Sequence, residues 1–329
     1  MKAITYQPAT DTFSLSELPQ PQVQSDFDVV VRVNAVGLNP VDCKVNLWHS
    51  MVEGMNDTFV GGLDVSGTIV ELGSEVTGWR VGDRVLYHGN MRRLSGGFAE
   101  YAVQDSRTLI EHPDVPAEVA AATPCAGWTA YRALLDKVDI TQHRSLFIAG
   151  GAGGVGSFAL QLAKHAGVET IITTASSAKH DYVKSLGATH VIDYREQDVV
   201  QQIADITGGD GVEIALDCVG GDNDKTCAAV LAYEGHLIEL VKTLEPSNYD
   251  NAFLRGLSFH QLSLGSGHVN GEQARKDLVH AGEAFSALVE QGHIQVSELK
   301  SIPLDRIGEQ LVAMRDQRTK GKIVAIVAD

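Results

Sequence analysis

Ser145-Leu146-Phe147-Ile148-Ala149-Gly150-Gly151-Ala152-Gly153-Gly154-Val155-Gly156 is the stretch on which the reading of the fold turns. A short apolar run leads into Gly151-x-Gly153-x-x-Gly156, and an apolar helical pattern follows it. A strand, a tight turn and a helix N-terminus are written this way in a dinucleotide-binding unit. One glycine permits the turn, the second lets the backbone approach a pyrophosphate, and the third lets the helix pack close to the strand. The helix start offers unpaired N–H groups and a positive dipole end to phosphates. Gly151, Ala152, Gly153, Gly154, Val155 and Gly156 are therefore the expected phosphate cradle.

Strand and helix alternate downstream of this stretch. Thr170–Thr174, Val191–Asp193, Gly211–Asp217 and His236–Leu240 read as strands. Lys179–Leu186, Val199–Ile206 and Lys225–Tyr233 read as helices, the first two stopped by Gly187 and by Gly208-Gly209. Such alternation means a parallel sheet with helices on both faces. Upstream the pattern is different: Val29–Val33, Val65–Leu72 and Val81–Leu86 are short strands separated by Gly, Pro and Asp, as in a small barrel-like domain. After Leu264 come a long helix over Glu272–Gln291, a shorter one over Asp305–Arg315 and a final strand, Lys322–Val327. We assign that tail to the first domain, so the nucleotide domain is an insert. The expected boundaries are 1–122 with 266–329 for one domain and 123–265 for the other.

The second strand of the nucleotide unit bears on the choice of dinucleotide. NAD-binding units usually carry an acid at its end, which bonds the ribose 2′-hydroxyl. Here the strand runs out through Thr174-Ala175-Ser176-Ser177-Ala178-Lys179, without a carboxylate. Hydroxyls and an ammonium complement a 2′-phosphate instead. Ser176, Ser177 and Lys179 are the expected 2′-phosphate contacts, with Tyr194 and Arg195 closing over the same group. NADPH is the expected cofactor.

Composition excludes several classes. The chain has 329 residues, enough for two domains, with 44% hydrophobic residues and a formal net charge of −16. That charge disfavours nucleic acid and anionic membranes as partners. No apolar run is long enough to span a bilayer, and Met1–Tyr6 lacks the apolar core of a signal peptide. The four cysteines, Cys43, Cys125, Cys218 and Cys227, form no C-x-x-C pair, which fits reduced thiols in a cytoplasm. The twelve histidines show no metal-ligand spacing along the chain.

The motif set resembles the medium-chain dehydrogenase/reductase superfamily, and within it the zinc-independent quinone oxidoreductase branch that includes zeta-crystallin. The resemblance rests on Gly37-Leu38-Asn39-Pro40-Val41-Asp42, Gly62-Leu63-Asp64-Val65-Ser66-Gly67, Gly82-Asp83-Arg84-Val85 and Gly96-Gly97-Phe98-Ala99-Glu100-Tyr101. It continues through Ala126-Gly127-Trp128-Thr129-Ala130-Tyr131, the glycine loop, Asp217-Cys218-Val219-Gly220 and Gly321-Lys322-Ile323-Val324. It implies an α/β protein: a GroES-like β-barrel domain plus a Rossmann domain with a doubly wound parallel sheet. It also implies a homodimer, for which Leu257–Leu264 offers an edge strand.

The departures from the zinc members decide the expected chemistry. Zinc relatives use a Cys, a His within Gly-His-Glu, and a second Cys. Asn39 stands where the first Cys would be, Leu63 where the His would be and Asp64 in place of the Glu. Only Cys125 falls at a ligand position, and a catalytic zinc needs three ligands. Cys43 and His49 could join Cys125 only in an improvised site. No metal is expected. Hydride must then go to an acceptor that is already electrophilic, a quinone or an α,β-unsaturated carbonyl, whose oxyanion is stabilised by hydrogen-bond donors.

The resemblance also proposes site residues. The amide of Asn39 is a candidate donor to the substrate oxygen, or shapes its loop. Asp42 contacts the cofactor ribose, supports the residues that touch substrate, or caps the following helix. Lys44 is a candidate oxyanion or proton donor, or a surface lysine. Trp48 walls an aromatic substrate, or packs in a core. Tyr87, His88 and Asn90 lie in the loop that replaces the zinc lobe. Arg92 and Arg93 there attract an anionic substrate, or are solvated. Thr129 corresponds to a family threonine near the nicotinamide ribose. Val219, Leu240, Val241 and Gly265 border the nicotinamide end through backbone contacts. A zinc-dependent alcohol dehydrogenase and a non-catalytic NADPH-binding sensor or crystallin-like protein are the alternatives.

Overall fold

The computed structural model describes residues 1–318 and 321–328. It divides into two compact units, one formed by Met1–Trp128 and Leu264–Asp329, the other by Thr129–Ser263. In chain order the first unit opens with β1 (Lys2–Gln7), β2 (Thr12–Glu17), β3 (Asp28–Leu38), β4 (Phe59–Val60), β5 (Asp64–Leu72), β6 (Arg84–His88), β7 (Tyr101–Asp105) and β8 (Ile110–Glu111). β3 is longer than its Val29–Val33 core suggests, because Ala35, Val36 and Leu38 continue the buried face past the half-buried Asn34. Its pairing with β5 shifts register at Val30/Val31 and again at Val33/Ala35.

The second unit holds β9 (Ser145–Ala149), β10 (Thr170–Thr174), β11 (His190–Ile192), β12 (Val212–Asp217), β13 (Leu231–Glu239) and β14 (Ser258–Gln261). All pairings are parallel, in the order β11-β10-β9-β12-β13-β14. The strand order reverses between β9 and β12, which is the switch point where doubly wound sheets take their ligands, beyond the carboxyl ends of the strands. Leu146 to Ala149 are all buried, as expected of a central strand covered on both faces. The helix Gly154–His165 follows β9 directly. The helix Val199–Thr207 starts on Asp198, whose carboxylate accepts from the N–H groups of Val200 and Gln201, and stops at Gly208 with φ +64°.

One helix differs from its sequence pattern. It spans Asn223–Ala229 rather than Lys225–Tyr233, and β13 already begins at Leu231. Apolar Leu231 and Ala232 suit either element, and pairing of Val212 with Leu231 draws them into the sheet.

The chain then returns to the first unit through the helix Gly271–Glu290, β15 (Leu299–Pro303), the helix Ile307–Arg315 and β16 (Lys322–Ile326). β16 pairs antiparallel with β3, so the last strand closes onto the first domain's sheet. That sheet runs β15-β16-β3-β5-β6-β8, with β7 also on β3, and a smaller sheet runs β2-β1-β4. Val31, Val33, Val36, Val65, Val85, Phe98 and Ile323 belong to the core they enclose. No helix among the described residues is long and apolar enough to cross a membrane.

Candidate active site

In the first unit, sheet register gathers polar side chains that are far apart in sequence. Gly37 near the end of β3 pairs with Asp64 at the start of β5, and Asp64 pairs with His88 at the end of β6. On the other side of β3, Leu38 pairs with Ile323, which sets Lys322 beside Asn39. A Cβ on Gly37 would lie 2.2 Å from the Ala121 carbonyl oxygen, so only glycine lets the helix Ala117–Ala121 sit over this junction.

The resulting network is buried. Asn39 is 2% exposed and Asp64 0%. The Asn39 amide donates through Nδ2 to Asp64 Oδ2 at 2.9 Å, and its Oδ1 accepts from Lys322 Nζ. Asp64 Oδ1 accepts from the Cys125 backbone N–H at 2.9 Å. The Lys322 ammonium lies 3.6 Å from Asp64 Oδ2. Asp42 Oδ2 accepts from the Asn39 backbone N–H at 2.8 Å. Burial, reinforced by the charge of Asp64, pushes the Asp42 carboxyl up to about 8. Burial also raises Asp64, against the opposing pull of Lys322.

This geometry revises several expectations. Asn39 is committed to Asp64 and Lys322, so its first task is to fix them rather than to reach outward. Asp42 makes no N-cap bond to its helical turn and instead braces Asn39. Lys44 is exposed on the surface. Trp48 donates through Nε1 to the Val41 carbonyl at 2.9 Å and packs edge-on against Phe59. It also lines a small cavity with Asp42, Phe59, Leu63, Tyr87 and Asn90. The Tyr87 hydroxyl is buried without a partner among the described residues. Arg93 is not a solvated anion lure: its guanidinium forks onto the buried Asp28 at 2.7 and 2.5 Å, while Arg92 is exposed. Gly265 sits in the turn Leu264–His268, where an added Cβ would be 3.9 Å from the His88 ring.

Histidines without ligand spacing along the chain do meet in space. His88 and His268 stack with ring centroids 6.0 Å apart. In the other unit His236 Nδ1 lies 3.1 Å from His260 Nε2. The sequence reading passed over His88 as a possible ligand. Its ring nitrogen, an Asp64 oxygen and the Cys125 sulfur all lie within 4.8 Å of one another. Cys43 and His49 are not part of this group: the Cys43 thiol donates to the Pro40 carbonyl and His49 pairs with the Asn46 carbonyl. The trio is a poor fit to zinc. Asp64 is already engaged by Asn39, Cys125 and the Lys322 ammonium. Burial and the Asp64 charge hold the Cys125 thiol well above its usual range, away from the thiolate a metal needs. A dication there would face an ammonium.

In the second unit the glycine loop can be tested position by position. A Cβ on Gly151 would lie 2.2 Å from Thr173 Oγ1, and one on Gly156 would lie 2.3 Å from the Gly150 carbonyl oxygen. Both glycines are required by the protein's own packing. At Gly153 the nearest atom is the Gly150 oxygen at 3.3 Å, and φ is −79°. Neither severe crowding nor backbone conformation demands glycine there. The missing side chain leaves room for a group approaching from outside, and Gly153 heads the helix Gly154–His165 with no side chain capping its free N–H groups. The loop therefore fits a pyrophosphate.

Ser176 is half-buried and Ser177 exposed beyond the end of β10. The Lys179 ammonium lies 5.0 Å from the Tyr182 ring centre. Tyr194 is exposed, with the Arg195 guanidinium 5.5 Å from its ring centre. The sequence reading missed the role of Asp193, just past the end of β11. Its two oxygens accept from the Ser177 and Arg195 backbone N–H groups at 2.9 and 3.0 Å. It ties the two loops together and does not stand as a free acid for a ribose hydroxyl. Thr129 is buried in the short helix Thr129–Tyr131. Val219 and Val241 are exposed in the loops after β12 and β13, and Leu240 is half-buried.

Comparison with known proteins agrees with this architecture. Residues 25–114 match the alcohol dehydrogenase GroES-like domain model, and residues 154–279 match the zinc-binding dehydrogenase model. A trans-enoyl reductase from Aspergillus japonicus is 32% identical over 275 residues, covering 78% of this chain and 79% of that protein. A quinone oxidoreductase from Pseudomonas aeruginosa is 28% identical, with 93% of each chain covered. The solved structure of the quinone oxidoreductase from Coxiella burnetii superposes with a TM-score of 0.84 at 26% identity, covering 99% of both chains. The chain belongs to the medium-chain dehydrogenase/reductase superfamily as a quinone oxidoreductase-like member. It is an oxidoreductase of a family that uses a nicotinamide cofactor.

Proposed function

We propose that this protein transfers a hydride from NADPH to quinones or α,β-unsaturated carbonyls without a metal. One observation carries the metal-free reading: the Lys322 ammonium stands against Asp64 and Asn39, two residues that replace zinc-site positions of the family. The glycine loop would hold the pyrophosphate of NADPH, and the bound cofactor would supply the hydride. The hydride adds to the electrophilic carbon, negative charge develops on the substrate oxygen, and a proton completes the reduction. The chain's part is to hold the reactants and to face the developing charge with a fixed cation. The barrel unit is the substrate domain in this reading, and the parallel-sheet unit binds NADPH.

NADPH rather than NADH is supported by the hydroxyls of Ser176 and Ser177, by Lys179, and by Asp193 being occupied with backbone N–H groups. Removing charge-assisted hydrogen bonds of this kind costs about 1.5–3 kcal/mol each. The double variant Ser176→Ala/Lys179→Ala should therefore lose at least about 100-fold of its preference for NADPH over NADH in kcat/KM, with NADH values nearly unchanged. An equal loss for both cofactors would place these residues elsewhere than at the 2′-phosphate.

The activity itself is tested by NADPH oxidation under chelation, against a panel of quinones and small enones. Turnover under chelation that zinc does not increase is the expected result. Silence across the panel, with alcohol oxidation appearing on zinc addition, would return the Asp64–His88–Cys125 trio to the role of a metal site.

We also propose a cytoplasmic homodimer. Its support is the four free thiols, the edge position of β14, and the exposed Phe253 and Leu254 near it in the same unit. A monomer by sedimentation at micromolar concentration would remove the dimer.

A further inference from the structure

At the carboxyl ends of β12 and β13, Asp217 pairs in register with Glu239. Both are buried, at 0% and 1% exposure. Each carboxyl uses one oxygen to hold the loop that follows it. Asp217 Oδ1 accepts from the Val219 and Gly220 N–H groups at 2.8 and 3.0 Å. Glu239 Oε1 accepts from the Val241 and Lys242 N–H groups at 2.7 and 3.1 Å. The other two oxygens, Asp217 Oδ2 and Glu239 Oε2, are buried with no donor among the described residues. Parallel register sets the two buried carboxyl groups side by side on adjacent strands. Two carboxylates cannot hydrogen-bond; a carboxylic acid and a carboxylate can.

We propose that Asp217 and Glu239 share one proton across adjacent strands, and that this proton positions the loops 217–221 and 239–242 against the cofactor. The pair is thus a positioning pair; neither residue need touch the reacting atoms. The proposal rests on reading Val219, Leu240 and Val241 as cofactor-facing.

Among the described residues, the titratable and charged neighbours of the pair are already engaged or neutral. Cys218 and Cys227 are held neutral, their thiols raised by burial and by the nearby carboxyls. Asp224 is occupied by the Tyr249 hydroxyl at 2.8 Å and by the Lys242 ammonium at 3.0 Å. Lys242 also donates to the Gly221 carbonyl at 3.0 Å, so its charge is spent on Asp224 and the loop. On β14, Gln261 pairs with Glu239 but is neutral, and its side-chain oxygen accepts from the Leu244 N–H. Burial, with the neighbouring Asp217 charge adding to it, lifts Glu239 to about 7. The sign follows. The folded state holds this proton more tightly than the unfolded chain does, so the stability it confers is full below about pH 4.5 and is lost as pH rises through about 7. Both loops should be tight in mildly acidic solution and loosen above neutrality.

The test uses the full chain without and with NADPH. Glu239→Gln keeps the acceptor for Val241 and Lys242 and gives Asp217 a donor that cannot titrate. Hydrogen exchange of loops 217–221 and 239–242 should match between wild type and variant at pH 5.5. At pH 8.5 the wild-type loops should exchange about tenfold faster than those of the variant. The ratio of NADPH dissociation constants, wild type over variant, should rise by about five- to tenfold over the same interval. Taking ratios at each pH cancels intrinsic exchange rates and the titration of the cofactor's own phosphate. A pH-independent exchange ratio, or loops already loose in the variant at pH 5.5, would overturn the shared proton. A flat affinity ratio beside a changing exchange ratio would overturn the cofactor-positioning role. If wild type binds no NADPH at all, the cofactor reading fails, and the exchange data still decide the shared proton.

Discussion

Replacing Lys322 by methionine should lower kcat with NADPH and a quinone or enone by about 10²- to 10³-fold, while NADPH affinity stays within about twofold. The size follows from what one fixed stabiliser of a developing oxyanion contributes in a water-poor site. Lys322 is held rather than mobile: its side chain is 10% exposed, it donates to Asn39 Oδ1, and it lies 3.6 Å from an Asp64 oxygen that is itself 0% exposed. At that distance the pair attracts by about 4–5 kcal/mol at an effective dielectric near 20, before desolvation. Methionine alone would leave Asp64 buried and uncompensated, a loss of about 3–5 kcal/mol in stability. The informative variant is therefore Lys322→Met with Asp64→Asn, which removes both charges. Its melting temperature should return toward wild type while kcat stays low. Recovery of kcat together with stability would mean that Lys322 only compensates Asp64 and that the oxyanion is stabilised elsewhere. Stoichiometric zinc uptake by the double variant with restored turnover would mean that the lysine displaced a functional metal site.

That network shows where sequence reading runs out. The glycine loop was legible because its three constraints are local: a turn, an approach and a helix start all fall within the span from Gly150 to Gly156. The alternation of strand and helix was legible for the same reason, since period and punctuation are properties of neighbours in sequence. Asn39 and Asp64 were visible as departures from the zinc pattern, and Cys125 as the one position that keeps it. Their union with Lys322 and His88 depends on the register of β3 with β5, of β5 with β6 and of β16 with β3. Register is a long-range property, and a slip of one residue would turn Asp64 to the opposite face. Lys322 was quoted within a family motif, yet nothing local distinguishes a lysine that ends up beside Asn39 from a solvated one. Asp217 and Asp193 were hidden similarly. Asp217 and Asp193 each look like the last residue of a strand; their partners come from segments distant in sequence. Lys44 and Arg93 are the reverse case: their charge and their neighbourhood in sequence suggested a role, while Lys44 stands exposed, in keeping with a surface lysine, and Arg93 is committed to the buried Asp28.

Gly153→Val should weaken NADPH binding by at least about 100-fold and leave the fold intact, whereas Gly156→Val should lose the fold itself. The contrast follows from the space at each position. A Cβ at position 156 meets the Gly150 carbonyl oxygen at 2.3 Å and the Gly151 Cα at 2.8 Å, backbone atoms that can yield only by moving the strand-to-helix junction. A Cβ at position 153 meets one backbone oxygen at 3.3 Å, which a shift of a few tenths of an ångström relieves. The branched side chain would nonetheless stand over the free N–H groups at the start of the helix Gly154–His165, where a pyrophosphate has to come within hydrogen-bonding distance. Thermal melting and fluorescence titration with NADPH on the two variants separate the effects. A cooperative melt within a few degrees of wild type, with no saturable NADPH binding, is the expected outcome for Gly153→Val. Unchanged NADPH affinity in that variant would mean that the phosphates do not pass this backbone, and would remove the dinucleotide from the loop on which the whole reading of the fold began.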